Sequence, residues 1–172
     1  MMLLPSMPGD RRVEEVKKFH EANPASLCGW YANPHTSPEC PDYIRRINGL
    51  LPWHTGYDVS CNYAWWRNNW NDMATPYEPE LRGLVHVYGT KDAVLNTLAW
   101  EGIREGVNDI RYATLAKELA LKAAESDNGD VLLFGRRVLS FLAYWDVWRE
   151  DPDAFRLECI NYILKMVEML RG

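Results

Sequence analysis

Apolar residues recur along this chain at two spacings, and the change from one to the other divides it. Residues 10–23, "DRRVEEVKKFHEAN", put Val13, Val16, Phe19 and His20 on one helical face, with Asp10 placed to cap the start. Pro24 stops that helix, and "SLCGWYANP" compresses the apolar positions into a short buried strand over 27–32, closed by Asn33-Pro34. "PDYIRRINGLL" returns to helical spacing with Pro41 in its first turn. "GYDVSCNYAWW" alternates again, with Tyr57, Val59, Cys61 and Tyr63 on one face of a second strand. A polar, aromatic loop over 67–82 leads to "GLVHVYG", a short strand or ribbon.

Beyond Lys91 the pattern reads as helix throughout: a long one over 93–126, a second over 131–149 after the break "SDNGD", and a third over 154–170. For the third, Asp151 stands at the N-cap and Pro152 at the first helical position. Helix, strand, helix, strand, helix in that order is the pattern of parallel βα units. Two strands are too few for such a sheet, because a parallel strand is covered on both faces and needs neighbours for its ladder.

Composition narrows the function more than the fold. A net charge of −5 with no basic face argues against nucleic acid or an anionic membrane surface as partner. No apolar run approaches the length of a membrane span. The four cysteines have no CxxC spacing and no paired histidines, so neither a zinc site nor any other metal or cofactor is expected. Compartment is left open. His35 and His54 read as loop residues within reach of a ligand, and His20 and His86 as structural.

The segment "WEGIREGVNDIRY" is over-specified for a helix that only covers a core, since each of its two glycines costs about 1 kcal/mol against alanine. Together with its flanks, "TLAWEGIREGVNDIRYATL" resembles the C-terminal end of the catalytic barrel in glycoside hydrolase family 123 and its relatives. The matching residues are Trp100, Glu101, Arg104, Glu105, Gly106, Asp109 and Tyr112, and "RRINGLLPWHTGYDVSCNYAWW" is similar to that family's last helix-to-strand passage. The resemblance covers residues 10–126. It implies an α/β fold dominated by helix: the last two or so units of a (β/α)8 barrel over 1–126, then a helical extension over 127–172. Gly102 and Gly106 are then expected to let the last barrel helix lie close against the strands. Arg104 is expected to pair with Glu101 or Glu105, and Asp109 and Arg111 to bond neighbouring loops.

The resemblance also implies a mechanism in which the substrate's own N-acetyl group is the nucleophile, assisted by an adjacent Asp-Glu pair. That is an exception to the usual two-carboxylate scheme. No Asp-Glu dipeptide occurs in this chain, so no catalytic residue is assigned. What the chain offers is binding chemistry. In such barrels the site lies in the loops at the carboxyl ends of the strands. There the expected contacts to a glycan or amino-sugar substrate are Trp30, Tyr31, Asn33, Asn62, Tyr63, Trp65, Trp66 and Trp70, with flat rings for sugar C–H faces and amides for hydroxyls. A non-enzymatic alternative stands beside this one: a helical module that binds a carbohydrate or protein partner through its Trp-rich loop.

Overall fold

The computed structural model describes residues 2–4, 10–31, 40–61 and 86–171. They form two compact units, 1–107 and 108–172, with the boundary inside one long helix.

The first unit is built on a parallel sheet of order β1-β2-β3: β1 (Met2–Leu4), β2 (Cys28–Tyr31) and β3 (Val59–Cys61). β1 was not legible in the alternation; it supplies β2 with a second neighbour, in register Met2↔Cys28 and Leu4↔Trp30. Helix α1 (Asp10–Ala22) connects β1 to β2, and α2 (Pro41–Asn48) with α3 (Leu50–Thr55) lies between β2 and β3 in the chain. The run expected as one helix after Pro41 is thus two, broken at Gly49. The αL residue that ends α3 is Gly56, at φ +89°, a region a side chain disfavours. His54, expected in a loop, belongs to α3.

After the second strand, β4 (Val87–Gly89) pairs antiparallel with β5 (Val94–Asn96). The reading of 93–126 as unbroken helix is corrected here. Val94 and Leu95 form the return strand of a hairpin, and α4 (Leu98–Ala124) starts only after Thr97. The reason is local: the Thr97 hydroxyl accepts from the Trp100 N–H at 3.2 Å and donates to the His86 carbonyl at 2.7 Å, so the residue that caps the helix also ties it to the hairpin.

The glycines of "WEGIREGVNDIRY" are explained by what faces them. A methyl at Gly106 would stand 2.7 Å from the Arg45 carbonyl oxygen and 3.2 Å from the Gly49 Cα, and one at Gly102 would collide with the Pro41 backbone. Backbone therefore meets backbone along α2, from its first residue to the Gly49 break. The expectation that these glycines bring α4 against the strands is corrected: in this unit they bring it against α2. The Arg104 guanidinium does pair with Glu101, at 2.8 Å.

The second unit holds the rest of α4 with α5 (Gly129–Tyr144) and α6 (Pro152–Met169). α5 is capped by the Asn128 side chain, which accepts from Asp130 and Val131, and α6 by Asp151 with Pro152 in its first turn, as the sequence predicts. The second helix stops at Tyr144 rather than continuing to 149. Asp146 takes the N–H groups of Trp148 and Arg149, a side-chain turn that competes with further helix. Ala113, Ala116, Ala120 and Ala123 are all buried, and a methyl at Gly135 would lie 2.7 Å from both the Ala120 oxygen and the Ala124 nitrogen. α4 and α5 thus pack through a seam of minimal side chains. Between α5 and α6 the filling is aromatic: Phe141 stacks on Phe155 with centroids 5.4 Å apart and meets Tyr162 edge-on.

One charge is fully buried. Asp109 has no solvent exposure and accepts from the Arg156 Nε at 2.7 Å and Nη2 at 2.6 Å. Burial, then Asp109, then Glu158 push the Cys159 thiol up to about 12, which keeps it neutral across the physiological range.

Two substitutions test this packing. Gly106→Ala should destabilise by about 1–3 kcal/mol despite alanine's better helix propensity, because the backbone of α2 has no room to give. Gly129→Ala, with nothing within 4 Å of the new methyl, should be neutral or mildly stabilising; urea unfolding followed by circular dichroism reads both, and the same sign at the two sites would refute the packing argument. Asp109→Leu alone should cost about 3–5 kcal/mol by stranding the Arg156 charge, and adding Arg156→Leu should recover much of it. Additive losses in that double mutant would show that the two groups do not act as a pair.

Candidate functional site

The two edges of the parallel sheet carry different chemistry. At the amino edge the strands are fastened together. The Cys28 N–H donates to the Asp58 carboxylate at 2.8 Å, and the Asp58 N–H returns a bond to the Cys28 carbonyl at 2.8 Å. The His20 Nε2, on α1, lies 3.2 Å from the Gly56 carbonyl and 3.5 Å from the same Asp58 oxygen. One carboxylate so holds the last turn of α1 and the starts of two strands. Burial, then the neighbouring Asp58, raises the Cys28 thiol, and burial is also the main cause of the raised Tyr57 phenol. Neither the thiol nor the phenol is shifted toward ionisation, and His20 contacts the Gly56 carbonyl and Asp58.

At the carboxyl edge, β2 ends at Tyr31 and β3 at Cys61, and these two residues are register partners. Because the strands are parallel, the segments that follow them in sequence leave from the same edge. Alternation sorts the faces. Trp30 is in register with Ser60, and the Ser60 hydroxyl donates at 2.8 Å to Oδ1 of Asn48, a buried residue of α2. On that face Cys28 and Trp30 are buried, while Ser60 is exposed. Trp30 itself is 2 % exposed, and its indole N–H has no hydrogen-bond partner among the described residues. Leaving such a donor unpaired costs about 1–3 kcal/mol, offset here by the burial of a large ring. Gly29, Tyr31, Val59 and Cys61 lie on the opposite face, where the last three are half-buried.

Of the expected binding residues, then, Trp30 belongs to the core and Tyr31, half-buried, to the other face of the sheet. They alternate and do not act together. Asn33, Asn62, Tyr63, Trp65, Trp66 and Trp70 lie outside the described residues, as does His35. The sequence reading missed Cys61 as a neighbour of Tyr31. The signal is in the sequence, since both residues end a strand, but cysteine is weighed there for metal binding and not as a strand neighbour. Cys40 is exposed, and Cys28 and Cys159 are buried.

The acidic residues of the glycine-containing helix are used locally. Glu101 takes Arg104 and, at 3.4 Å, the Asn96 side chain, while Asp109 is held by Arg156. Among the described residues no cluster of histidine, cysteine, aspartate or glutamate could hold a metal ion. None of their helices is long and apolar enough to cross a membrane. Among the described residues, the carboxyl edge offers an aromatic ring, Tyr31, and a thiol, Cys61. Compared with known proteins, the sequence matches no family model and no curated protein at a significant level.

Proposed function

We propose that this chain is the C-terminal portion of a glycoside hydrolase-like protein, and that it contributes aromatic and amide contacts to a glycan or amino-sugar substrate without supplying the catalytic Asp-Glu pair. One observation supports this above the others. β2 and β3 are adjacent and parallel, so the two aromatic- and amide-bearing stretches of the sequence, which begin at Tyr31 and directly after Cys61, start side by side at one edge. Parallel α/β sheets take their ligands at the carboxyl ends of the strands. Sugars suit such an edge because their C–H faces lie on aromatic rings and their hydroxyls pair with amides. The (β/α)8 barrel is the finer part of the proposal. In favour of it are the parallel order β1-β2-β3, helices between consecutive strands, and a second sheet face that is only half covered.

The test is binding and turnover on the same preparation. Calorimetry with N-acetylglucosamine and its β-linked disaccharide should show saturable binding at about millimolar Kd or tighter. The chromogenic nitrophenyl N-acetylhexosaminide should not be hydrolysed above the blank. Turnover by the purified chain would overturn the reading that the catalytic pair lies elsewhere, and no binding to either sugar would overturn the carbohydrate assignment.

A further inference from the structure

We propose that the outer face of α6 is a contact surface between two copies of this chain, which pair through it antiparallel about a two-fold axis near Tyr162. The surface lies wholly within the second unit and is independent of what the sheet binds.

α6 carries two apolar stripes, and only one of them is buried. Phe155, Cys159, Tyr162 and Met166 form the buried stripe. Leu157, Ile160, Leu164 and Val167 repeat at steps of three, four and three, the spacing of a seam between two helices. At 3.6 residues per turn this second stripe lies roughly 150° round the helix from the first. Leu157 is 60 % and Leu164 65 % exposed, with Ile160 and Val167 half-buried between and beyond them. A single exposed leucine needs no explanation, but four apolar residues in one register form a patch suited to a partner.

Two charges at the ends of the stripe select that partner. Asp153 stands four residues before Leu157 and Arg171 four after Val167, and both are exposed. The helical path reaches Arg171, because Leu170 keeps αR geometry and the Arg171 N–H donates to the Glu168 carbonyl at 3.3 Å. Turned end for end on a second copy, the stripe sets Asp153 against Arg171, Leu157 against Val167 and Ile160 against Leu164, and the two-fold repeats all three contacts. A parallel pair would instead set Asp153 on Asp153 and Arg171 on Arg171. Beside the antiparallel seam Glu168 falls next to Ala154 and Asn161 next to its own copy, so no like charges meet. The opposed helix dipoles favour the same direction. The seam is about 27 Å long, which suits a reversible dimer rather than a permanent one.

Sedimentation velocity of the full chain should show a monomer–dimer equilibrium with a Kd of about micromolar order. Leu164→Glu should weaken it tenfold or more, whereas Leu133→Glu, 63 % exposed on α5, should leave it within a factor of two. Arg171→Glu should weaken it several-fold, and adding Asp153→Arg should restore it. Melting temperatures by circular dichroism at a monomeric concentration check that each variant folds; Leu164 is exposed enough for its change to be tolerated. A chain that stays monomeric, a dimer that Leu164→Glu leaves intact, or one that Leu133→Glu disrupts equally would overturn the interface. A dimer indifferent to Arg171→Glu would overturn the antiparallel pairing, since in a parallel pair like charges face each other before and after the change.

Discussion

The first unit depends on a contact between two stretches of bare backbone. Gly106 on α4 meets Gly49 where α2 gives way to α3, and Gly102 meets the Pro41 backbone at the other end of α2. Helix axes normally stand 8–10 Å apart because side chains intervene. Removing them on both partners brings peptide groups into van der Waals range, where many weak dispersion contacts add up. The glycine at 49 does two things: it ends α2, and it leaves the space that Gly106 requires. A β-carbon at either position meets main chain rather than a flexible side-chain tip, so neither can relax by rotation. That explains how two residues that oppose helix formation persist inside a 27-residue helix.

The same economy recurs in the second unit, where a run of buried alanines on α4 faces Gly135 of α5. On the far side of α5 the chemistry reverses, and Phe141, Phe155, Trp145 and Tyr162 fill the space by area. A seam of small residues fixes distance but contributes little hydrophobic burial, while an aromatic cluster contributes burial and tolerates some distance. Having one of each lets the three helices be positioned by the first and stabilised by the second. The buried Asp109–Arg156 pair adds direction to that arrangement, since a lone charge at either position would be strongly penalised.

Where local chemistry decides an element, the sequence announces it. Asp151-Pro152 starts α6, Pro24 follows α1, and the strands around Trp30 and Cys61 show as short apolar or alternating runs. What was not legible has long-range causes. β1 is three residues long and is a strand only because β2 lies beside it. Val94, Leu95 and Asn96 have ordinary helical company, but β4 pairs with them and Thr97 is held by the His86 carbonyl. "PDYIRRINGLL" reads as one helix, but the helix breaks at Gly49, where Gly106, 57 residues away, packs against it. The glycine pattern itself was visible, as was its demand for a close partner; the identity of that partner was not. At the proposed site, the sequence gathered rings and amides near two strand ends but could not divide Trp30 from Tyr31. Burial in the folded sheet separates them: Trp30 is enclosed and Tyr31 is only half-buried.

The asymmetry of the sheet's two edges is what connects this fold to the proposed binding role. At the amino edge Asp58 gathers the Cys28 N–H and the approach of His20, so α1, β2 and β3 are held to one another. Motion there would break charge-assisted bonds, which are stronger than neutral ones. At the carboxyl edge no comparable bond ties Tyr31 to Cys61 among the described residues, and both side chains keep partial contact with solvent. A rigid end and an open end on the same short strands form a suitable support for ligand contacts. The fixed amino edge and the α2–α4 backbone contact set where the strand ends lie, and the strand ends in turn set where their side chains and the following segments begin. Side chains at that edge inherit their geometry from a core to which they contribute little, so Tyr31 has room to change where Gly49 and Gly106, packed against backbone, do not.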